Sequence, residues 1–187
     1  MTLIRAFPNG DLSLGRDGRT VTGVAVPFGV QADVNDGYGM YREEFRRGAF
    51  TRTIAERGNR VKVLAQHNRN TMPIGRATLL REDPAGLYAE LRISQTTAGD
   101  EALELIRDGA LDGLSIGFNA IRDERGADGT VIRTEVRLNE ISVVPFAAYE
   151  SATITGVRSQ DARPHLNLAR ARLALIEATL NLKEERR

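Results

Sequence analysis

The chain has 187 residues, 41% of them apolar and 27% charged, with a formal net charge of +1 at pH 7. That length suits one domain with a sizeable core and room for an appendage. The balanced charge and an aromatic content of 5% argue against a nucleic-acid partner, and the absence of cysteine excludes disulfides, thiolate chemistry and cysteine-based zinc sites. The opening stretch MTLIRAFPNGDLSL has no signal-peptide core, and no run approaches the roughly 20 apolar residues of a membrane span. The expectation is a cytoplasmic protein with no membrane partner.

Residues 1–19 are polar and glycine-punctuated and receive no element. TVTGVAVPFG (20–29) alternates valine with small residues and reads as a strand. Residues 30–40, rich in glycine and aspartate, read as a loop. In 41–58, Phe45, Ala49, Phe50 and Ile54 fall at helical spacing and Gly58 supplies a stop, so the expectation there is a helix. VKVLAQHN (61–68) reads as a short strand ending in a polar loop. Residues 73–83 and 86–94 read as a hairpin turned by Asp83-Pro84-Ala85-Gly86.

The clearest helix spans 96–109, with polar residues to cap its start, an apolar stripe of Ala102, Leu103, Leu105 and Ile106, and a terminating Gly109. Two alternating segments, 114–124 and 131–146, flank the turn RGADGT. The sum predicts an α+β fold: a β-rich barrel or sandwich of six or seven strands with two helices. Residues 156–165 read as a linker. Beyond them Leu166, Ala169, Leu173, Ile176 and Leu180 step by 3, 4, 3 and 4, a heptad seam that predicts a C-terminal amphipathic helix. Either that helix folds back onto its own core or it docks on another chain.

Ser115 raises the question of chemistry. Gly113-Leu114-Ser115-Ile116-Gly117 matches the G-x-S-x-G of a nucleophile elbow, which ends a strand, opens a helix and is followed in the chain by its acid and histidine. Here strand alternation continues past Ser115, and the histidine downstream is His165, in the linker. The elbow reading therefore fails. With Leu114, Ile116 and Phe118 facing the core, Ser115 and Gly117 face the opposite way, where glycines leave room for an extended substrate. A solvated strand serine beside a bulge fits the same pattern.

His67, just past a short apolar strand, is the candidate base, since imidazole takes and returns a proton near neutrality. Glu140, set among Leu138, Ile141, Val143 and Val144, is the candidate acid that orients it. Taken singly, each also reads as an ordinary residue: an exposed loop histidine, and an edge-strand glutamate paired with an arginine.

Taken in order, VTGVAVPFG, YREEFRRGAFTRTI, VKVLAQHN, PIGRATLLREDPAGLYAELRIS, ELIRDGALDGLSIGF and RLNEISVVPFAAYESATI resemble the prohead (capsid maturation) serine proteases of HK97-like tailed phages. The resemblance runs unbroken over roughly 20–155. It implies a β-barrel surrounded by helices, similar to the herpesvirus assembly proteases. It also implies a catalytic histidine in LAQHN, serine in LSIGF and acid in NEIS, which are His67, Ser115 and Glu140. Two positions depart from the family's habit: Asn68 where aspartate is frequent, and Ala147 where proline is frequent.

The implied domains are an unplaced segment 1–19, a protease domain 20–155, a linker 156–165 and a helical tail 166–187. The implied activity is endopeptidase cleavage of the major capsid protein or its scaffolding segment inside the procapsid, in the host cytoplasm, with cleavage of the enzyme's own tail. No cofactor or metal is needed. A homodimer is the oligomeric state that the herpesvirus likeness suggests. Residues 147–149 are the expected source of oxyanion donors. The competing expectations are a non-enzymatic capsid scaffold or assembly domain, and an esterase.

Overall fold

The computed structural model describes residues 2–7, 12–35 and 39–145. Its strands are β1 (Leu3–Phe7), β2 (Ser13–Leu14), β3 (Thr20–Pro27), β4 (Ala32–Asn35), β5 (Met40–Phe45), β6 (Lys62–Ala65), β7 (Gly75–Glu82), β8 (Gly86–Ile93), β9 (Gly113–Arg125) and β10 (Val131–Val144). Two helices join them, α1 (Thr51–Arg57) and α2 (Thr97–Asp108). One path of hydrogen-bonded neighbours runs β1-β9-β10-β6-β7-β8-β3-β2, and β5 adds to β10 with β4 beside it. The eight-strand path curls into a half-barrel, so that β3 packs against β9. Among the described residues no ladder joins its two ends, β1 and β2.

The expected strands at 20–29, 61–68, 73–83, 86–94, 114–124 and 131–146 all form. So does the helix at 96–109, with Thr96 Oγ1 accepting from the Gly99 N–H at its start and Gly109 in the left-handed conformation at its end. The strand count of six or seven is too low, because ten form among the described residues. Residues 1–19, left without an element, supply β1 and β2, and β1 is the antiparallel neighbour of β9. The expected C-terminal helix, the linker and residues 147–149 lie outside the described residues.

The helix expected over 41–58 and the loop over 30–40 are corrected. Residues 32–35 and 40–45 form a hairpin, and the helix begins only at Thr51. Phe45, Ala49 and Phe50 are buried as the spacing demands, yet Phe45 belongs to a strand in which Glu43 and Phe45 alternate inward. Gly48, at φ +101°, separates the strand from the helix. The start of α1 has no local cap. Instead Glu82, from β7, accepts from the Gly48 and Phe50 N–H groups and from Thr51 Oγ1. A cap supplied by a distant strand leaves no mark in the local sequence.

The core fills the concave side. Phe45 stacks on Phe50 at 5.8 Å and meets the edge of Phe118 at 5.2 Å. Fully burying such a side chain contributes roughly 1.5–3 kcal/mol. Leu114, Ile116 and Phe118 of β9 and Leu138, Ile141 and Val143 of β10 join the same cluster.

Candidate active site

Strand β10 organises the site. Along one edge it is paired antiparallel with β9; along the other its first residues pair with β5 and Glu140–Val143 pair, in parallel, with Lys62–Ala65 of β6. Leu138 lies opposite Phe118, but Glu140 lies opposite Gly117. Asn139 is therefore an extra residue, a bulge that rephases the strand. Without it Leu138 and Glu140, two apart, would share a face. With it, Leu138, Ile141 and Val143 point into the core, while Glu140 and Ser142 point to the other side, beside Gly117 and Ser115.

His67 comes to this face from β6. The turn Ala65–Asn68 is closed by the Asn68 N–H donating to the Ala65 carbonyl at 2.9 Å. Its two central residues both have positive φ, Gln66 at 50° and His67 at 58°. That is the sign pattern of a type I′ turn, usually filled by Asn-Gly. A non-glycine residue in this conformation stores roughly 1–3 kcal/mol and persists where the surroundings over-determine it. Here they do: the Gln66 N–H donates to the Val143 carbonyl at 3.0 Å and the His67 N–H to Ser142 Oγ at 3.1 Å.

The three candidate residues meet. His67 Nε2 lies 2.5 Å from Ser115 Oγ, and His67 Nδ1 lies 2.6 Å from Glu140 Oε1. An ionised carboxylate only accepts, so Nδ1 carries the ring proton and Nε2 is left to accept from the serine hydroxyl. Ser115 and Glu140 are buried, and the His67 side chain is 14% exposed. The same hydrogen-bonded chain withdraws the solvated-serine, loop-histidine and arginine-paired-glutamate readings of these positions.

One residue of the site was not read from the sequence, and a second was given a different task. Ser142, buried, donates from Oγ to Glu140 Oε2 at 2.7 Å, so that both carboxylate oxygens have partners. Its signal is the pair Glu140-x-Ser142, two acid- and hydroxyl-bearing residues on one strand face. Gly117 was expected to make room for substrate. A Cβ there would instead lie 2.2 Å from Glu140 Oε1, so the glycine makes room for the carboxylate. Depressions flank the His67 turn. One, about 650 Å³, is lined by Gln66, Asn68, Met72, Glu101 and Leu105; the other, about 410 Å³, by Lys62, Arg69, Asn119, Asn139 and Glu140. Among the described residues no group of three or more acidic or histidine side chains is placed to hold a metal, and no helix is long and apolar enough to cross a membrane.

The sequence pattern of the caudovirus prohead serine proteases matches residues 10–166, most of the chain. The chain belongs to that family. It is thus a member of a serine peptidase family. It is 30% identical to the prohead protease of Enterobacteria phage HK97 over 117 residues, 61% of this chain and 52% of that one. The chain accordingly spans about half the length of the curated relative it matches. In fold it is similar to the capsid assembly protease of bacteriophage T4, with a TM-score of 0.54 and 13% identity over 77% of this chain and 97% of that one. At that identity the likeness concerns the fold alone.

Proposed function

We propose that this prohead protease family member is a serine endopeptidase that cleaves the major capsid protein or its scaffolding segment during phage-type prohead maturation, using Ser115, His67 and Glu140 as its catalytic triad. The observation that carries the reading is the continuous chain Ser115 Oγ, His67 Nε2, His67 Nδ1, Glu140 Oε1, with steps of 2.5 and 2.6 Å. Ser115 Oγ attacks the scissile carbonyl as His67 Nε2 takes its proton. His67 then returns the proton to the leaving amine, and water repeats the sequence on the acyl-enzyme. Glu140 stays ionised, fixes the Nδ1–H tautomer and stabilises the imidazolium. General-base assistance of this kind is worth about 10²–10⁴-fold. The order histidine, serine, acid differs from that of elbow hydrolases, but triads are defined by geometry.

The chain organisation follows the same reading: a protease domain over 20–155, a cleavable linker at 156–165 and a targeting tail at 166–187, with β1 and β2 built into the domain's sheet. The substrate class rests on family membership and on the HK97 prohead protease as a relative. The test is co-expression of the full chain with its cognate capsid protein, followed by N-terminal sequencing of the capsid subunits. Wild type yields shortened subunits with one new N-terminus and Ser115→Ala yields full-length ones. Equal shortening with both chains overturns the triad. Full-length subunits with both, and no Ser115-dependent fluorophosphonate labelling, favour a non-enzymatic assembly module.

A further inference from the structure

The Ser142 hydroxyl touches both the candidate base, His67, and its acid partner, Glu140. It accepts from the His67 backbone N–H at 3.1 Å and donates to Glu140 Oε2 at 2.7 Å. It lies directly opposite Ser115 across the β9–β10 ladder and exposes no surface. A hydroxyl has one proton to give, and that proton goes to the carboxylate. Two degrees of freedom are thereby removed. The carboxylate plane is fixed at both ends, because Oε1 is occupied by His67 Nδ1 and Oε2 by Ser142. The main chain of His67, at φ 58° in a turn that side chains other than glycine seldom adopt, is tied to the same atom. The imidazole thus has its backbone and its acid partner referred to a single oxygen on the strand that faces the nucleophile.

We propose that Ser142 is a positioning residue of the peptidase site, one that sets the imidazole of His67 for proton transfer without touching substrate. The inference rests on the triad reading above. A buried strand serine with a purely structural part would satisfy its own hydroxyl and contribute to folding; this one links the two groups whose relative placement governs the proton. Misplacing a catalytic group by about 1 Å can cost on the order of 10²-fold in rate.

The test uses the full-length chain and the capsid protein as substrate, with Ser115→Ala, Ser142→Ala and Ser142→Thr compared. Ser142→Ala is expected to lower kcat about 10–100-fold, the range seen when a supporting hydrogen bond is removed behind a functional ligand, with KM within about twofold. The low-field proton resonance of His67 Nδ1 is expected to move or broaden in Ser142→Ala. Ser142→Thr, which keeps the hydroxyl, is expected to recover most of kcat. Should threonine prevent folding, Ser142→Cys, a weaker donor of similar size, should fall between alanine and wild type. A Ser142→Ala enzyme with kcat within about threefold of wild type and an unmoved His67 resonance overturns the proposal while Ser115→Ala remains inactive. Loss of activity in proportion to the folded fraction, with that resonance unmoved, overturns it as well. If Ser115→Ala itself still cleaves, the triad reading fails and this inference falls with it.

Discussion

Gly117 and Glu140 face each other across β9 and β10, and a methyl group on Gly117 would stand 2.2 Å from the Glu140 carboxylate oxygen that binds His67. No positive φ requires glycine at this position, so the backbone itself accepts alanine. Gly117→Ala is therefore expected to fold, at an overpacking cost of about 1–3 kcal/mol, while pushing the carboxylate off His67 Nδ1. The expected fall in kcat is roughly 10²–10⁴-fold, the scale on which a displaced orienting acid acts. Because the effect passes through Glu140, Gly117→Ala combined with Glu140→Gln should lose little more than Glu140→Gln alone. Additive losses in that double-mutant cycle would show the glycine acting by another route.

The proposed triad gives a graded expectation. Ser115→Ala and His67→Ala should each remove about 10⁴–10⁶ of kcat, and the double variant should be no worse than the singles, because the residues act as one unit. Glu140→Gln keeps the shape but offers an amide that turns the imidazole to the wrong tautomer, for a loss of about 10⁴. Rates of capsid-protein cleavage measured by gel densitometry, with fluorophosphonate labelling as the second readout, resolve the three. A Glu140→Gln enzyme within tenfold of wild type would remove the acid from the mechanism.

How much of this was legible in the sequence depends on whether the deciding contact is local. The β7–β8 hairpin, α2 and the β9–β10 pair carry their signals within a few residues, as period-two alternation, a Thr96 cap or a glycine stop. β4 and β5 do not. Glu43 reads as a surface residue until Arg5 and Arg133, distant in the chain, are brought beside it. The β2–β3 hairpin was readable, since Asp17-Gly18 is a turn signal and Gly18 has φ +66°. β1 was not, because its pairing partner lies at the far end of the domain. The three triad candidates were legible through family resemblance more than through physics, for each alone is an ordinary residue. The bulge at Asn139, the task of Gly117 and the link through Ser142 appear only once the strands are in register.

The charged cluster around Glu43 yields a stability prediction. Glu43 Oε1 accepts from Arg5 Nε at 2.7 Å, its Oε2 accepts from Arg133 Nε at 2.7 Å, and Arg133 also bonds Asp123 at 2.6 Å. The Glu43 side chain is 2% exposed and those of both arginines are 6% exposed. Removing the anion leaves two buried guanidinium groups short of a partner. Glu43→Ala is expected to cost about 3–5 kcal/mol in urea unfolding. Replacing all three by apolar residues of similar volume should cost far less, since desolvation of the cluster offsets much of its attraction. A Glu43→Ala midpoint within experimental error of wild type would mean that the cluster is open to water.

Asp17 supplies the pH dependence. Its carboxylate accepts from the Arg19 N–H at 3.0 Å, from the Thr20 N–H at 2.9 Å and from Thr20 Oγ1 at 2.8 Å, and it pairs with Arg92. These bonds, the Arg19 amide first, hold its pKa below the ordinary 3.8. A carboxyl depressed on folding adds stability above its unfolded pKa and loses it as pH falls through the folded value. Asp17→Asn should therefore lower Tm by a few degrees at pH 7, and the gap between the two chains should narrow below about pH 4. The side chain is 45% exposed, so its ion pair with Arg92 is screened and contributes little. Raising the salt to about 1 M should accordingly leave most of the gap at pH 7 in place, because the backbone amides that the carboxylate caps are not ions. A gap that vanishes in salt would assign the effect to Arg92, and one that persists unchanged below pH 2 would show that the charge of Asp17 plays no part in it.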